Sequence, residues 1–302
     1  MIFDEAKLKS WCLPPSSTEQ EKINNAINMI KSAIDGSQEL EDLDIEIFVQ
    51  GSFANNTNVK ASSDVDVCIM LKSTFFTEYP AGLSRNDYGF VEGTITYEDY
   101  KKLILNALIK KFGSSNVRVG NKSIKIKSNS YHVEADAVVA FMLKNYYLIN
   151  SRNADKYIEG IRFISNSGIT VSNYPKDHIA NGIQKNNATN YGYKKLVRIF
   201  KRLRNEMVDA GLADGEKITS FLIECLVWNV PNNIITGYSN WTTILRQAII
   251  YLYNAINDNK HLEWGEVSEH LYLFKARKWT DEDAKFFLLN LWKYTGYGDE
   301  SN

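Results

Sequence analysis

Cysteine is scarce in this chain of 302 residues: Cys12, Cys68 and Cys225 are the only three, odd in number and widely spaced. That spacing excludes a disulfide framework and any CxxC metal knuckle, and it favours buried free thiols in a reducing cytoplasm. Proline is nearly as rare, at 5 residues, and glycine stands at 17. A chain so poor in both is neither collagen-like nor a low-complexity linker. Long apolar runs are missing; the stretch from Ser220 to Val230 is broken by Glu224 and far too short to cross a bilayer, so no membrane partner is expected. The first eleven residues carry two acids and no apolar run, unlike a secretory signal. Positive charge is not in excess either. With 35 Lys+Arg against 36 Asp+Glu the formal charge is −1, so no stable nucleic-acid partner is expected, and only a local basic groove remains open. The four histidines, His132, His178, His261 and His270, show no metal-ligand spacing. No GxSxG, P-loop or Cys/His nucleophile pattern is present.

What the chain does have is ordinary globular material, 44% hydrophobic and 24% charged, in a length that suits two domains with a core each. Ser16 and Glu19 are spaced as a capping box for a helix running to about Asp35, with Ile23, Ile27, Ile30 and Ile34 on one face. Ile45 to Val49 reads as a strand ending at Gly51-Ser52, and Val65 to Leu71 as a second. Tyr97 to Phe112 reads as a helix closed by Gly113. Short strands follow at Val117–Val119, Lys122–Lys127 and Tyr131–Met142, close enough to extend the sheet in antiparallel fashion. From Ala188 onward the pattern is helical, at about 189–210, 217–229, 240–257 and 280–295. Strands followed by helices predict an α+β fold whose second lobe is helical. Trp228, Trp241, Trp264, Trp279 and Trp292 fall in that helical half and read as packing residues.

The sharpest local feature is Gly51-Ser52, then eleven residues, then Asp64-Val65-Asp66. On a strand the side chains alternate, so Asp64 and Asp66 share one face while Val65, Val67 and Ile69 enter the core. Two carboxylates side by side need a positive partner, and hard oxygen donors favour Mg²⁺ or Mn²⁺. A glycine and a hydroxyl at the end of the preceding strand let backbone amides approach a phosphate. A later strand offers Glu134 and Asp136, again on one face, and one of the two would complete a three-carboxylate, two-metal site.

The pattern GS-x₁₁-DVD with a later ADAVV strand resembles the polymerase-β-like nucleotidyltransferase superfamily. More narrowly, QGSFANNTNVKASSDVDV (50–67), NYPKDHIANG (173–182) and TNYGYKKLVRIFKRLRN (189–205) resemble the bacterial cGAS/DncV-like nucleotidyltransferases, the CD-NTases, and within them the CdnE clade. The resemblance implies a bilobal fold with domains at 1–180 and 181–302: a mixed-sheet lobe with a long N-terminal helix, and a C-terminal helical lobe. The active site would lie in the cleft between sheet and helices. Asp64, Asp66 and Asp136 would hold two Mg²⁺ ions, leaving Glu134 as an outer neighbour. Gln50, Gly51 and Ser52 would cradle the donor triphosphate.

The resemblance also bears on a local run of positive charge. Residues 194–204 contain six basic side chains and no acid. In a helix Lys194, Arg198 and Lys201 form one stripe, opposite a buried stripe of Leu196, Phe200, Leu203 and Met207. By resemblance Lys201 and Ser220 touch the donor triphosphate and Phe221 stacks on the donor base, with the hydroxyl of the more usual tyrosine lost. Asn173, before Tyr174-Pro175, implies use of a pyrimidine; capping of the turn before Pro175 is its alternative reading. The activity implied is a cyclic dinucleotide synthase that joins UTP with ATP or UTP, in antiphage (CBASS) signalling through a separate effector protein. The rivals are a linear nucleotidyltransferase acting on RNA or protein, a purine-only cyclic nucleotide synthase, and an inactive nucleotide-binding module.

Overall fold

The computed structural model of the chain describes residues 3–14, 17–59, 64–275 and 277–298, with the backbone alone at 17–19. Ser16 and the Glu19 side chain, the two halves of the expected capping box, lie outside the described residues. In chain order the elements are α1 (Glu5–Trp11), α2 (Ser17–Asp35), β1 (Ile45–Gln50), α3 (Gly51–Ala54), β2 (Val65–Glu78), α4 (Tyr97–Phe112), β3 (Val117–Val119), β4 (Ile124–Ile126) and β5 (Ala135–Asn145). There follow β6 (Ile158–Ile164), β7 (Thr170–Asn173), α5 (Pro175–Ala188), α6 (Tyr193–Asp209), α7 (Ser220–Trp228), α8 (Asn232–Thr236), α9 (Trp241–Asn257) and α10 (Asp281–Tyr294). These elements form two compact units.

The sheet unit takes in residues 17–54 and 64–176. Its seven strands run β1-β2-β5-β4-β3, with β6 paired to the far half of β5 and β7 to β6. β2 and β5 are parallel and every other pair is antiparallel, so the mixed sheet is as expected. Parallel neighbours need a crossover, and α4 lies in it. It starts at the cap Thr96, whose hydroxyl accepts from the Asp99 amide, and buries Tyr100, Ile104 and Leu108. Ile23, Ile27, Ile30 and Ile34 of α2 are buried as the 3.6-residue period requires. Between them the helices and sheet enclose one core, built on Val65, Val67, Ile69, Ala137 and Val139.

The helical unit comprises residues 3–14, 55–59, 177–275 and 277–298. Its core is formed by α6, α7, α9 and α10 with Leu8 and Trp11 of α1. Trp264 is buried, and Trp228, Trp241, Trp279 and Trp292 pack partly buried against this core. All three cysteines are buried free thiols.

Candidate active site

Strand pairing alone builds the acidic face. Gln50 of β1 pairs with Asp66 of β2, Asp66 with Asp136 of β5, Asp136 with Lys125 of β4, and Lys125 with Arg118 of β3. Paired residues point to the same side of a sheet, so these five form one row across five strands. The flanking residues Val65, Val67, Ala135 and Ala137 are fully buried beneath. Asp64 precedes β2, and Glu134, whose carbonyl accepts from the Val65 amide, precedes β5.

Gly51 is indispensable to this arrangement. It turns the chain from β1 directly into α3 at φ +70°, where L-residues are strained. A Cβ built on it would stand 2.1 Å from Asp66 Oδ2 and 3.0 Å from Asp66 Cγ. Backbone and carboxylate can be this close only because the side chain is missing.

The acids are mutually destabilising. Burial, then the charges of Asp136 and Asp64, push the Asp66 carboxyl up to about 7. Burial, then Glu134 and Asp136, also raise Asp64. Lys125 is the one basic side chain in ion-pair contact with these acids among the described residues, its Nζ 3.2 Å from Asp136 Oδ1 and 3.4 Å from Oδ2. Burial opposes its charge, but the bond to Asp136 and the surrounding carboxylates hold the ammonium's pKa above its ordinary value. Asp136 Oδ1 is nonetheless a buried oxygen with no hydrogen-bond partner.

In the helical unit, the basic stripe of α6 is turned inward. Lys201 is 2% exposed; its Nζ donates to Glu224 Oε2 at 2.7 Å and to Thr57 Oγ1 at 2.9 Å. Thr57 Oγ1 in turn donates to Glu224 Oε2 at 2.8 Å, and His178 Nε2 lies 3.1 Å from Glu224 Oε1. Burial pushes Glu224 up, but Lys201 and His178 outweigh it and hold the carboxyl far below its usual range. Arg198 grips the carbonyls of Cys12 and Asn56. Lys194, Arg198 and Lys201 are all buried, as are Leu196, Phe200, Leu203 and Met207 opposite, so both stripes of α6 are covered and the basic one shows no open face. Ser220, exposed, and Phe221, half-buried, open α7 behind the cap Thr219. The Phe221 ring stacks on Trp279 at 5.4 Å between centroids and lies 5.6 Å from His178.

Two domain models match the sequence: a nucleotidyltransferase domain over residues 30–129, and a cGAS/DncV-like nucleotidyltransferase C-terminal helical domain over 180–296. A cyclic dipyrimidine nucleotide synthase CdnE from Cecembia lonarensis is 45% identical over 294 residues, covering 97% of this chain and 98% of that one. The chain belongs to the CdnE family of cGAS/DncV-like nucleotidyltransferases. Two solved CdnE structures share the fold over nearly the whole length. The Rhodothermus marinus CdnE c-UMP-AMP synthase, solved with Apcpp and Upnpp, superposes with a TM-score of 0.86 at 30% identity, covering 99% of each chain. The Elizabethkingia meningoseptica CdnE cyclic dinucleotide synthase, solved with GTP and Apcpp, gives 0.82 at 32% identity, covering 98% of this chain and 100% of that one.

CdnE membership makes this chain a nucleotidyltransferase, in a superfamily that uses divalent metals. The donor chemistry fits such an ion: hard carboxylate oxygens, an excess of negative charge, and a buried Asp136 Oδ1 that makes no hydrogen bond and has only the loose ion pair with Lys125. The carboxylates are neighbours rather than a finished cage. Among the described residues no three acidic, histidine or cysteine side chains are already gathered as a ligand set. Of the residues expected from sequence, the sheet unit brings together Gln50, Gly51, Asp64, Asp66 and Asp136, and Ser52 follows Gly51 in α3. Asn173 closes β7, half-buried, its backbone paired with Ile161. The adjoining Tyr174 is buried, its hydroxyl accepting from Asn145 Nδ2 at 2.7 Å. Lys201, Ser220 and Phe221 belong to the helical unit. Sequence reading passed over Lys125 and Thr57. For Lys125 a signal existed, since it alternates with Ile124 and Ile126 on a strand beside the acids.

Proposed function

We propose that this CdnE-family enzyme joins UTP with ATP or with a second UTP into a uridine-containing cyclic dinucleotide. Cyclic dinucleotide synthesis by nucleotidyl transfer is the activity that the family relatives carry in common; the bases are the proposal. The observation that carries the reading is the register pair Asp66–Asp136, with Gly51 pressed against Asp66. Asp64, Asp66 and Asp136 would hold two Mg²⁺ ions, with Mn²⁺ as a substitute. Bound there, the ions lower the pKa of an acceptor hydroxyl and neutralise charge on the departing pyrophosphate.

The residues then have distinct tasks. Gly51 leaves the backbone open to a donor triphosphate beside Asp66, with Gln50 and Ser52 flanking it. Phe221 offers a ring face to a base, and Ser220 a hydroxyl and free amides at the start of α7. The acceptor hydroxyl attacks the α-phosphate in line: a P–O bond forms, the bond to pyrophosphate breaks, and the hydroxyl proton leaves to solvent. A second transfer within the linear intermediate closes the ring and releases a second pyrophosphate. Lys201 is 2% exposed and bonded to Glu224 and Thr57, so its first task is to hold that buried network together, with a third N–H left for phosphate.

Uridine is supported by Asn173-Tyr174-Pro175 and by the cyclic dipyrimidine product named for the relative at 45% identity. Asn173 offers an amide donor and acceptor that match the uracil edge. We extend the reading to a second messenger for antiphage signalling through a separate effector. The test is incubation with Mg²⁺ and each labelled NTP, alone and in pairs, followed by phosphatase and mass spectrometry. A phosphatase-resistant product containing uridine is expected. No resistant product with any pairing overturns the synthase reading, and purine-only products overturn the base assignment.

A further inference from the structure

Four carboxylates, Asp64, Asp66, Glu134 and Asp136, crowd one end of the sheet, and the ion pair of Lys125 answers one of them. Its distances to the two Asp136 oxygens, 3.2 and 3.4 Å, are longer than a tight charge-assisted bond. The ammonium straddles the carboxylate without closing on it. Lys125 reaches it because β4 sets the two residues directly opposite each other, one strand beyond the Asp66–Asp136 pair. Of the three aspartates expected as ligands, Asp66 and Asp136 are paired in register and Asp64 stands just before β2, yet the three are not gathered into a ligand set. The contact that engages Asp136 in the meantime is Lys125.

We propose that Lys125 is a displaceable counter-ion of the metal site. It holds Asp136 while the site is empty of metal, and it must release that carboxylate before a divalent cation is bound. The inference rests on the reading of Asp64, Asp66 and Asp136 as metal ligands. One ammonium against four carboxylates leaves about three negative charges if all are ionised, enough to attract a divalent ion. A cation arriving alone must break the Lys125–Asp136 pair unaided. One arriving on a nucleotide triphosphate brings further contacts, and the released ammonium gains an anion in exchange. Lys125 thereby makes metal loading depend on nucleotide. It is a positioning residue, acting through Asp136.

The test is Mn²⁺ binding without nucleotide, followed by the paramagnetic resonance signal of free Mn²⁺. Lys125→Met should bind Mn²⁺ roughly five- to tenfold more tightly than the wild type, the scale of one loose ion pair removed. Its melting temperature without metal should fall, and Mn²⁺ should restore it. Lys125→Arg keeps the pair and should match the wild type. Lys127→Met removes the same charge from the exposed end of the same hairpin and should change Mn²⁺ affinity by less than about twofold. Should Lys125→Met fail to fold, Lys125→Gln gives the same comparison. Unchanged or weaker Mn²⁺ binding in folded Lys125→Met or Lys125→Gln overturns the proposal, as does equal tightening in Lys127→Met. A wild type that takes up no Mn²⁺ even with UTP present overturns the ligand reading itself, and the inference with it.

Discussion

Lowering the pH from about 8 to about 6 should weaken metal binding by about tenfold, through one carboxyl group. Asp66 is the group: burial and the charges of Asp136 and Asp64 raise it to about 7, so without metal it is mostly protonated at the lower pH and mostly ionised at the higher. A cation must displace that proton, so affinity rises with pH and levels off once the group is ionised. The stability of the metal-free protein has the opposite slope. Between the ordinary aspartate value of about 4 and about 7 the folded chain holds a proton that the unfolded chain has released, so stability falls as pH rises across that window. Calorimetric titration of Mn²⁺ at a series of pH values measures the first effect, and thermal melts in chelator measure the second. Asp66→Asn should remove both slopes. A metal affinity that is flat across this range, or an unchanged slope in Asp66→Asn, refutes the electrostatic account of the acidic row.

Three further outcomes follow from the same geometry. Gly51→Ala should cost more than about a hundredfold in turnover, because the methyl must displace Asp66 Oδ2 from 2.1 Å away and the φ of +70° adds about 1–2 kcal/mol of strain; initial rates and a melting curve on the same sample check both effects. Glu224→Gln should destabilise the fold by about 3–5 kcal/mol, since it strands the buried Lys201 ammonium, and the double variant with Lys201→Met should recover part of the loss in urea unfolding. Asn173→Ala should leave the melting temperature within about a degree and shift label incorporation away from UTP when all four nucleotides compete, by roughly the tenfold worth of one or two hydrogen bonds.

The acidic end of the sheet unit was legible because β2 and β5 begin with a two-residue alternation of acid and buried apolar residue. Asp64 and Asp66 alternate with Val65 and Val67, and the same rule set Asp136 apart from Ala135 and Ala137. The alternation could not say which strands adjoin, so the row from Gln50 to Arg118, with Lys125 inside it, emerges only from the pairing. β6 and β7 escaped notice because their signals are weak. Gly160 interrupts β6, and its missing side chain is what lets the Tyr174 ring and the Asn173 carbonyl come close, with atoms 2.9 Å from where a Cβ would stand. α5 left little signal because its sequence is mostly polar and it buries only His178 and Gly182, while its isoleucines Ile179 and Ile183 are half-buried and exposed. The reverse holds for α6. Its two stripes were read correctly, but the partners that bury the basic one, Glu224 and Thr57, lie 23 and 144 residues away from Lys201. Whether a lysine faces water or an internal carboxylate depends on such distant residues, and helical spacing carries no trace of them.

Alternation placed Glu134 and Asp136 on one face and left open which of them joins the Asp64–Asp66 pair. Register now sets Asp136 directly beside Asp66, with Glu134 outside the strand. The most direct measurement is therefore the rate of pyrophosphate release from UTP and ATP by Asp136→Asn and Glu134→Gln, prepared and assayed side by side. Asp136→Asn should lose about a thousandfold or more, and Glu134→Gln should change by no more than about tenfold. An active Asp136→Asn, or a dead Glu134→Gln beside it, would contradict the assignment of the Asp66–Asp136 row as the centre of nucleotidyl transfer.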